Sequence, residues 1–337
     1  MAVSIKDIAK VAEVSHSTVS RALRDSPLIS EETKARIQRI AQELGYSPSA
    51  IARGLVTKRT QTLGLVVTTI ADPFVAEVVR GIEERALDAG YSIILCQSQS
   101  DPDRELAAVE ILREKRVDAI IVTASRVGSL YLPLLEKLAV PIVLINNQQE
   151  GRYVHSVGTD NLQGGWLAAR YLLELGHTRL GYITGPTWAA ASKLRLEGAR
   201  RALQERGLDF DPTLIAQGDG RVGGGQEAMA QLLRHSPPPT AVFCYNDMTA
   251  IGAMRAIQQA GLRVPDDISV MGYDDIAFTA YMVPPLTTIK QHKYEMGYQA
   301  TEMALALLAD GDAVENVLVP GELVVRESCA PPRKAHC

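Results

Sequence analysis

The chain of 337 residues lacks the features that mark several common protein classes. Its four cysteines have no C-x-x-C spacing and its histidines are not paired at metal-ligand spacing, so we expect free thiols and no zinc site. Its apolar runs are far shorter than the roughly 20 residues that a bilayer span needs. Lys6, Asp7 and Lys10 interrupt any apolar core of an export signal. We therefore expect a cytoplasmic protein without a membrane segment.

Sequence signatures of catalysis are also missing. The chain contains no G-x-S-x-G, no P-loop and no H-E-x-x-H. A literal G-x-G-x-x-G does occur at residues 218–223, and Asp247 lies roughly where the ribose-binding acid of a dinucleotide site would follow. The strand before it is weak, and further glycines delay the helix that would face a pyrophosphate. We interpret this run as a flexible surface loop, and we expect neither an enzyme nor a cofactor.

Charge is distributed unevenly along the chain. Residues 1–60 hold ten Lys and Arg against six Asp and Glu, a net charge of +4. The remaining residues hold 25 Lys and Arg against 33 Asp and Glu, a net charge of -8. A basic head in front of an acidic body predicts that the two parts have different electrostatic partners.

Three short helices are predicted in this head. The first begins at a capping box formed by Ser4 and Asp7, and the third begins after Ser30 and ends at Gly45. The second, from about Ser17 to Leu23, buries its apolar side. The polar side chains left pointing outward are His16, Ser17, Ser20 and Arg21.

A helix-turn-helix head of this kind fits the major groove of B-DNA, where an arginine pairs with the two acceptors of guanine. The alternative is an ordinary helical hairpin with a solvated face. The next segment, YSPSAIARGLVTKRTQT at residues 46–62, is weakly helical and carries Arg53, Lys58 and Arg59. We expect it to fold on DNA, although a plain linker has the same composition.

The body alternates buried strands with amphipathic helices from Leu63 onward, which is typical of a doubly wound parallel sheet. The alternation restarts after Thr159, so two similar lobes follow one another. A late helix, from about Tyr294 to Leu308, and two late strands let the chain cross between the lobes more than once. The predicted fold class is α/β: an all-α helix-turn-helix head followed by a two-lobed core of doubly wound parallel sheets. A ligand of such a core binds between the lobes, beyond the carboxyl ends of the strands.

Polar and aromatic side chains recur where the predicted strands end. Carboxylates, amides and a guanidinium around an aromatic ring suit a sugar, whose hydroxyls take paired hydrogen bonds. Taken singly, Asp247 is as well explained as a helix cap, and Trp188 as core packing. Their joint recurrence favours a binding site. The expected effector-binding residues are Asp72, Phe74, Asn146, Trp188, Arg195, Asn246, Asp247, Asp274 and Gln291.

Six motifs, taken together, resemble the lactose/galactose repressor family of bacterial transcription regulators. They are TVSRAL, ELGYSPSAIARGL, S-x-x-R-x-x-G at 192–198, YND at 245–247, GYDD at 272–275 and PPLTTI at 284–289. The resemblance covers residues 4 to about 328 and implies a core like that of periplasmic sugar-binding proteins. The implied parts are a DNA-binding head at 1–46, a hinge helix and linker at 47–61, an N-terminal lobe at 62–159 and 290–320, a C-terminal lobe at 160–289 and 321–330, and a disordered tail at 331–337.

The same resemblance implies which residues contact DNA. His16, Ser17 and Arg21 read bases in the major groove, while Ala52 and Leu55 enter the minor groove, with Leu55 as the wedge. A homodimer would bind a near-palindromic operator, and the C-terminal tetramer-forming helix of the lactose repressor is not matched here. The full set of expected DNA-binding residues is Ser4, His16, Ser17, Thr18, Ser20, Arg21, Ala52 and Leu55.

Three departures from the family pattern bear on the turn and on the effector. Glu13 stands where the family often has a turn glycine, so the turn either avoids a positive φ or is strained. Asn146 and Asn147 replace the usual acid, and Asp72 replaces an asparagine. We expect a carbohydrate effector that changes operator affinity. A purine corepressor held between Phe74 and Trp188 is the alternative, and a sugar-transport protein is disfavoured because it has no use for the basic head.

Overall fold

The computed structural model describes residues 3–46, 59–126, 140–146, 155–310 and 315–333. The chain divides into two units, Met1–Thr60 and Gln61–Cys337. The described part of the first unit, the head, contains helices α1 Ile5–Val11, α2 His16–Ala22 and α3 Glu31–Glu43. The three helices predicted for the head are thus confirmed.

Capping and a small apolar core hold the head together. Asp7 Oδ2 accepts hydrogen bonds from the backbone N–H of Ser4 at 2.9 Å and from its hydroxyl at 2.7 Å, which completes the predicted capping box. These bonds hold the pKa of Asp7 below its ordinary value. Ser30 caps α3 through the N–H of Thr33. The buried core consists of Ile8, Ala9, Ala12, Val19, Ala22, Ile37 and Ala41.

The turn between α1 and α2 contains the predicted irregularity at Glu13. Its φ is 50°, so a non-glycine residue adopts the left-handed conformation there. Such a residue costs on the order of 1 kcal/mol relative to glycine. The Val14 N–H, which donates to the Ala9 carbonyl at 3.1 Å, helps to close the turn.

The described part of the second unit, the core, contains two six-stranded sheets with helices on both faces. Its helices are α4 Pro73–Asp88, α5 Pro102–Glu114, α6 Asn161–Glu174, α7 Ala190–Gln204, α8 Val222–Leu232, α9 Asp247–Gln259 and α10 Lys293–Asp310. The strands of the first sheet are β1 Thr62–Val67, β2 Ser92–Gln97, β3 Ala119–Thr123, β4 Ile142–Ile145, β5 His155–Thr159 and β11 Val317–Val319. Those of the second are β6 Leu180–Ile183, β7 Ile215–Ala216, β8 Ala241–Cys244, β9 Ser269–Asp274, β10 Thr287–Lys290 and β12 Glu322–Val324.

Strand order confirms the doubly wound prediction. The first sheet runs β11-β5-β4-β3-β1-β2 and the second runs β12-β10-β9-β8-β6-β7. All pairings are parallel except β10 with β12. Consequently the carboxyl ends of the parallel strands of each sheet lie on one edge, where ligands of such sheets bind.

Apolar residues bury both faces of each sheet. In β1, Leu65 packs in the cluster that includes α4 and α10, whereas Val66 packs in the cluster that includes α5. In the second sheet, α6 and α7 share one cluster, while α8 and α9 share the other. This explains why the strands read as continuous apolar runs instead of alternating ones.

Three segments connect the two sheets. The chain leaves the first sheet after β5 and returns through α10, which packs on the first sheet through Met296 and Ala300. It leaves again between β11 and β12. The prediction of more than one crossing is therefore confirmed.

The glycine run at 218–223 is a loop, as its composition predicts, only over residues 218–221, which lie outside any helix or strand. Helix α8 begins at Val222 inside the run and packs against α9. A Cβ on Gly225 would overlap the carbonyl oxygen of Thr249, and one on Gly252 would overlap that of Val222. The glycines therefore permit close approach of two helices, and this packing offsets their low helix propensity.

Two further features concern the expectations drawn from the sequence. Cys244 and Cys329 are buried free thiols and Cys96 is half-buried. Within the described ranges, no helix combines the length and the apolar composition needed to cross a bilayer. At the end of the described chain, Arg333 donates to Asp267 at 2.8 Å, while residues 334–337 lie outside the description.

Candidate ligand cavity and nucleic-acid interface

Helix α2 carries the polar row that was predicted to face DNA. His16, Ser17 and Arg21 are exposed, whereas Thr18 and Ser20 are half-buried. The opposite side of the helix buries Val19 and Ala22 in the core of the head. The helix therefore has one packed side and one polar side, as a helix that enters the major groove needs.

Internal hydrogen bonds divide this polar row into two groups. Ser17 Oγ lies 2.7 Å from the hydroxyl of Ser15, the N-cap of α2, and Arg24 Nη2 donates to Ser20 Oγ at 2.5 Å. Within the described part of the chain, the side chains of His16 and Arg21 make no hydrogen bond or ion pair. These two side chains are the ones most available for contact with base edges.

The other residues expected to contact DNA are not part of this exposed row. Ser4 is exposed at the N-cap of α1, and Thr18 donates its N–H to Ser15 Oγ at 3.1 Å. Ala52 and Leu55 lie outside the described residues.

The core encloses a cavity of about 320 Å³ between the strand ends of its two sheets. Eight of the nine expected effector-binding residues line it, and Asp247 does not. The eight are Asp72, Phe74, Asn146, Trp188, Arg195, Asn246, Asp274 and Gln291.

Asp72 and Phe74 reach the cavity from the start of α4. Asp72 caps this helix, with Oδ1 accepting the N–H of Phe74 at 2.9 Å, and Pro73 follows as the first helical residue. Burial raises the pKa of Asp72 above its ordinary value, although the N–H groups of Phe74 and Val75 oppose this. The carboxylate is thus fixed at the helix start and faces the cavity through its remaining acceptor sites.

Two side chains of the first sheet carry buried oxygen atoms without a partner among the residues that the structure describes. They are Thr123, which ends β3, and Asn146, which follows β4, and the unpartnered atoms are Thr123 Oγ1 and Asn146 Oδ1. Asn146 has φ 59°, a left-handed conformation that asparagine tolerates better than most residues. Buried polar atoms of this kind almost always have a partner, so both are suited to a hydroxyl or N–H of a ligand.

Sequence reasoning missed Thr123, together with Ser125 and Arg126, which also line the cavity. The signal was present, because Thr123 ends the buried strand β3 and Ser125 and Arg126 follow it, just as the asparagines follow β4. Position at a strand end would have identified them.

Arg195 is buried in the second sheet's side of the cavity at 4% exposure. Its Nε donates to Asn161 Oδ1 at 2.8 Å, and its Nη1 donates to the Tyr245 carbonyl at 2.5 Å. The guanidinium carbon lies 3.5 Å from the centre of the Tyr273 ring. These contacts hold a cation in place at the cavity wall.

The rest of the S-x-x-R-x-x-G motif explains this position of Arg195. Ser192 Oγ accepts the N–H of Gly185 at 2.9 Å, which ties α7 to the loop after β6. A Cβ on Gly198 would overlap the carbonyl oxygen of Leu162, so glycine allows α7 to pack closely on α6.

Asn246 and Asp247 differ in their roles although they are adjacent. Asn246 lines the cavity and caps α9, accepting the Thr249 N–H at 2.9 Å. Asp247 is fully buried away from the cavity lining and accepts from the Ile276 N–H at 2.9 Å and the Thr288 hydroxyl at 2.6 Å. Burial, followed by the charge of Asp274, raises the pKa of Asp247 well above its ordinary value.

Asp274 and Gln291 form a buried pair at the ends of neighbouring strands β9 and β10. Gln291 Nε2 donates to Asp274 Oδ1 at 2.6 Å, and Gln291 Oε1 accepts from the Thr159 hydroxyl at 2.7 Å. Burial raises the pKa of Asp274 to about 7, opposed by Arg195 and reinforced by Asp72. A carboxyl group whose charge changes near neutral pH therefore faces the cavity.

Trp188 and Arg126 meet across the cavity from opposite sheets. The guanidinium carbon of Arg126 lies 4.6 Å from the centre of the Trp188 ring. Arg126 also donates to the Ser100 carbonyl at 2.7 Å. Trp188 is 43% exposed, so it is a wall of the cavity and not the core residue of the alternative interpretation.

Comparison with known proteins agrees with this architecture. Residues 4–49 match the bacterial regulatory proteins of the lacI family, and residues 169–329 match the periplasmic binding protein-like domain. The HTH-type transcriptional repressor PurR of Aliivibrio fischeri (strain MJ11) is 38% identical over 329 residues, which cover 96% of this chain and 98% of that protein. The chain belongs to the lacI family of bacterial regulatory proteins. As a member of this family, the protein is a transcriptional regulator.

Two further comparisons extend this result. The ribose operon repressor of Escherichia coli (strain K12) is 39% identical over 303 residues, which cover 90% of this lacI-family chain and 92% of that protein. A solved structure of the lac repressor dimer bound to operator and the anti-inducer ONPF has a TM-score of 0.88 and 29% identity, with 98% of this chain and 100% of that one covered. The resemblance to the lactose/galactose repressor family is therefore confirmed, as is the fold of head and core.

Proposed function

We propose that this regulator is a homodimeric repressor whose affinity for a near-palindromic operator is controlled by a carbohydrate in the cavity of the core. The observation that carries the carbohydrate is the lining of that cavity. Carboxylates, three amides and a fixed guanidinium surround it, and Phe74 and Trp188 add aromatic surface. Sugar hydroxyls both donate and accept hydrogen bonds, so they match this mixture of groups.

The cavity volume supports a small carbohydrate. About 320 Å³ is at the lower end of the roughly 300–1,000 Å³ found for ligand pockets. A monosaccharide is favoured over a larger oligosaccharide. The similarity to a ribose operon repressor makes D-ribose the first compound to test.

A purine corepressor remains the second candidate because PurR proteins are among the similar relatives. A planar base would stack between aromatic rings, which Phe74 and Trp188 could provide. Against this, Arg126 lies over the Trp188 ring at 4.6 Å and would have to move away. The free oxygens of Thr123 and Asn146 suit hydroxyl groups at least as well as ring N–H groups.

The proposed control is thermodynamic linkage between the cavity and the head. The lobes proposed for it comprise residues 62–159 with 290–320 and residues 160–289 with 321–330. Sheet membership of the strands supports this division. Ala52 and Leu55 in the segment 47–61 are proposed to enter the minor groove and to transmit the change. A coupling of about 1–3 kcal/mol would alter operator affinity roughly 5–150-fold.

In the head, Arg21 is proposed to read bases, with His16 and Ser17 beside it. Arg21→Ala is expected to weaken binding to a selected genomic duplex by about 1–3 kcal/mol while changing binding to random duplex far less. Fluorescence anisotropy with both duplexes measures this. Arg24→Ala is the matched control, because Arg24 is exposed but bonded to Ser20. Equal losses on both duplexes for Arg21→Ala would contradict base reading.

We also propose that the protein acts without catalysing a reaction and that it acts in the cytoplasm, where its operator is located. The similar relatives are repressors, which supports this role.

Isothermal titration calorimetry of the full chain tests the effector class. D-ribose, D-galactose, cellobiose and the purine base hypoxanthine are titrated separately. Saturable binding of a monosaccharide supports the proposal. Binding of hypoxanthine alone would replace the carbohydrate with the purine candidate.

A further inference from the structure

Lys293, the first residue of α10, buries its ammonium group where strands β9 and β10 end. Its Nζ donates to the carbonyl oxygen of Asp274 at 2.5 Å and to that of Asp275 at 2.8 Å. The carbonyl oxygen of Gln291 lies 3.4 Å away. Three carbonyl groups from two neighbouring strand ends therefore converge on one cation, and Lys293 itself is only 8% exposed.

The backbone around these carbonyl groups is in an unusual conformation. Asp274 has φ 122° and Asp275 has φ 56°, both positive and both at non-glycine residues. Such conformations persist only when the surroundings hold them in place. The bonds from Lys293 to the two carbonyl groups contribute to this support, together with Arg326 Nη2, which donates to Asp275 Oδ1 at 2.6 Å.

The side chains carried by these strand ends line the cavity. Gln291 and Asp274 are bonded to each other at 2.6 Å, so a displacement of either backbone segment would move both side chains. Lys293 does not line the cavity. It acts on the site only through Asp274, Asp275 and Gln291.

We propose that Lys293 is a positioning residue of the effector cavity, whose ammonium group fixes the backbone that carries Asp274 and Gln291. The inference rests on the proposed function, since it concerns how the same cavity presents its groups to an effector. Through these bonds, Lys293 holds Asp274 and Gln291 in the geometry that binds the effector before the effector arrives.

The charge of Lys293 also acts on Asp274, and this effect separates it from a merely structural residue. Burial, the largest influence, raises the pKa of Asp274, and Lys293 is among the groups that lower it. Burial in turn lowers the pKa of Lys293, while nearby carboxylates raise it. The charged or titratable groups around Asp274 are Arg195 of α7, Asp72 at the start of α4, Asp247 of α9, Tyr245, Tyr273 and Lys293. Those around Lys293 are Asp274, Asp275, Asp247 and Glu77.

The first test reads Asp274 directly and needs no effector. The full chain is labelled with ¹³C at the aspartate carboxyl carbons, and the Asp274 signal is assigned by its loss in Asp274→Asn. Two neutral variants, Lys293→Gln and Lys293→Met, are expected to move the pH midpoint of Asp274 upward, because a nearby positive charge is removed. Lys293→Arg retains the charge and is expected to keep the midpoint near that of the unmodified chain.

Lys290→Gln is the matched control. It also removes a lysine charge at the end of β10, but Lys290 is 41% exposed and lies 3.9 Å from Glu322. The Asp274 midpoint should not move in this variant. An unmoved midpoint in a folded neutral variant of Lys293, or an equal movement in Lys290→Gln, overturns the proposal.

The second test measures binding, with D-ribose as the probe, by calorimetry between pH 6 and 8.5. We expect Lys293→Gln to weaken binding on the order of tenfold at pH 7.5 and to move the pH profile of affinity upward. Unchanged affinity and an unchanged profile would overturn the positioning role while leaving the sugar effector standing. If the unmodified chain binds no D-ribose but the Asp274 midpoint moves as expected, ribose is rejected as effector and the role of Lys293 stands.

Discussion

The wall that the first sheet contributes to the cavity differs from the wall of the second sheet in where its polar atoms find partners. On the first, Thr123 Oγ1 and Asn146 Oδ1 are buried and have no hydrogen-bond partner within the described ranges of the chain. On the second, Arg195 is bonded to Asn161 and to the Tyr245 carbonyl. Arg195 is thus fixed by the protein before a ligand binds, whereas Thr123 and Asn146 leave acceptors for the ligand to satisfy.

Because of this difference, the two walls have different roles in ligand binding. Groups that are already bonded to the protein are held in one geometry, so they orient a ligand at low entropic cost. Unsatisfied buried groups favour a ligand that bonds to them and disfavour one that does not. The second wall therefore gives orientation, and the first gives discrimination between similar ligands.

The largest effect is expected at the second wall. Arg195→Ala should abolish D-ribose binding and lower the free energy of unfolding by about 3 kcal/mol, because Asn161 Oδ1 and the Tyr245 carbonyl lose their donor. Calorimetry and urea unfolding measure the two effects. Arg201→Ala, on the exposed side of the same helix, is the control and should change neither. Retained binding in Arg195→Ala would contradict the role of the second wall.

The next effect concerns the pH dependence of the second wall. The pKa of Asp274, about 7, is above its unfolded value, so the folded state binds this proton more tightly than the unfolded state. The resulting stabilisation is fully present below about pH 4 and is lost as the pH rises through about 7. The free energy of unfolding of the unmodified chain should decrease on the order of 2 kcal/mol between pH 5 and pH 8 because of Asp274. In Asp274→Asn this decrease should be absent. Identical pH dependence of urea unfolding in both proteins would contradict this assignment.

A smaller effect on stability is expected at the first wall. Thr123→Val should change the free energy of unfolding by about 0.5 kcal/mol or less, because Thr123 Oγ1 has no partner to lose. D-ribose binding should weaken on the order of tenfold. Thr288→Val is the matched control on the second sheet. Its hydroxyl donates to Asp247 at 2.6 Å, so this substitution should cost about 1–3 kcal/mol. Equal destabilisation of the two variants would remove the contrast between the walls.

The remaining effect is expected where the two walls meet. Arg126→Met should lower stability by about 0.5–1 kcal/mol and make Trp188 more accessible to acrylamide quenching, measured in a Trp166→Phe background. Arg170→Met in a Trp188→Phe background is the control, because Arg170 lies 4.9 Å from the Trp166 ring on the same helix. Only Arg126→Met should also alter D-ribose affinity. Unchanged quenching of Trp188 would show that Arg126 does not cover it.

Much of the fold could be predicted because its strongest signals are local. The capping box at Ser4 and Asp7 and the apolar strands are each determined by residues that lie close together in the sequence. The start of α8 at Val222, inside the glycine run at 218–223, could not be predicted because it depends on the packing of α8 on α9, which is distant in sequence. The start of helix α5 at Pro102 is set by its cap, Asp101, at a point where apolar periodicity is weak.

The cavity was predictable only in part for a similar reason. Strand ends identified Asp72 and Asn146, since carboxyl ends of parallel strands share one edge. They could not show that Asp247 faces away from the cavity, because adjacent residues at a helix start point in different directions. Nor could they identify Lys293, which acts through backbone carbonyl groups and carries no motif of its own.

The most direct measurement of the central claim is operator affinity with and without the effector. A duplex selected from genomic fragments is titrated with the full chain by fluorescence anisotropy, in the absence and presence of saturating D-ribose. We expect D-ribose to change the operator Kd at least about fivefold, and we expect Arg195→Ala, while still binding the duplex, to show no change. An operator Kd that is the same with and without every sugar bound by the cavity would contradict it.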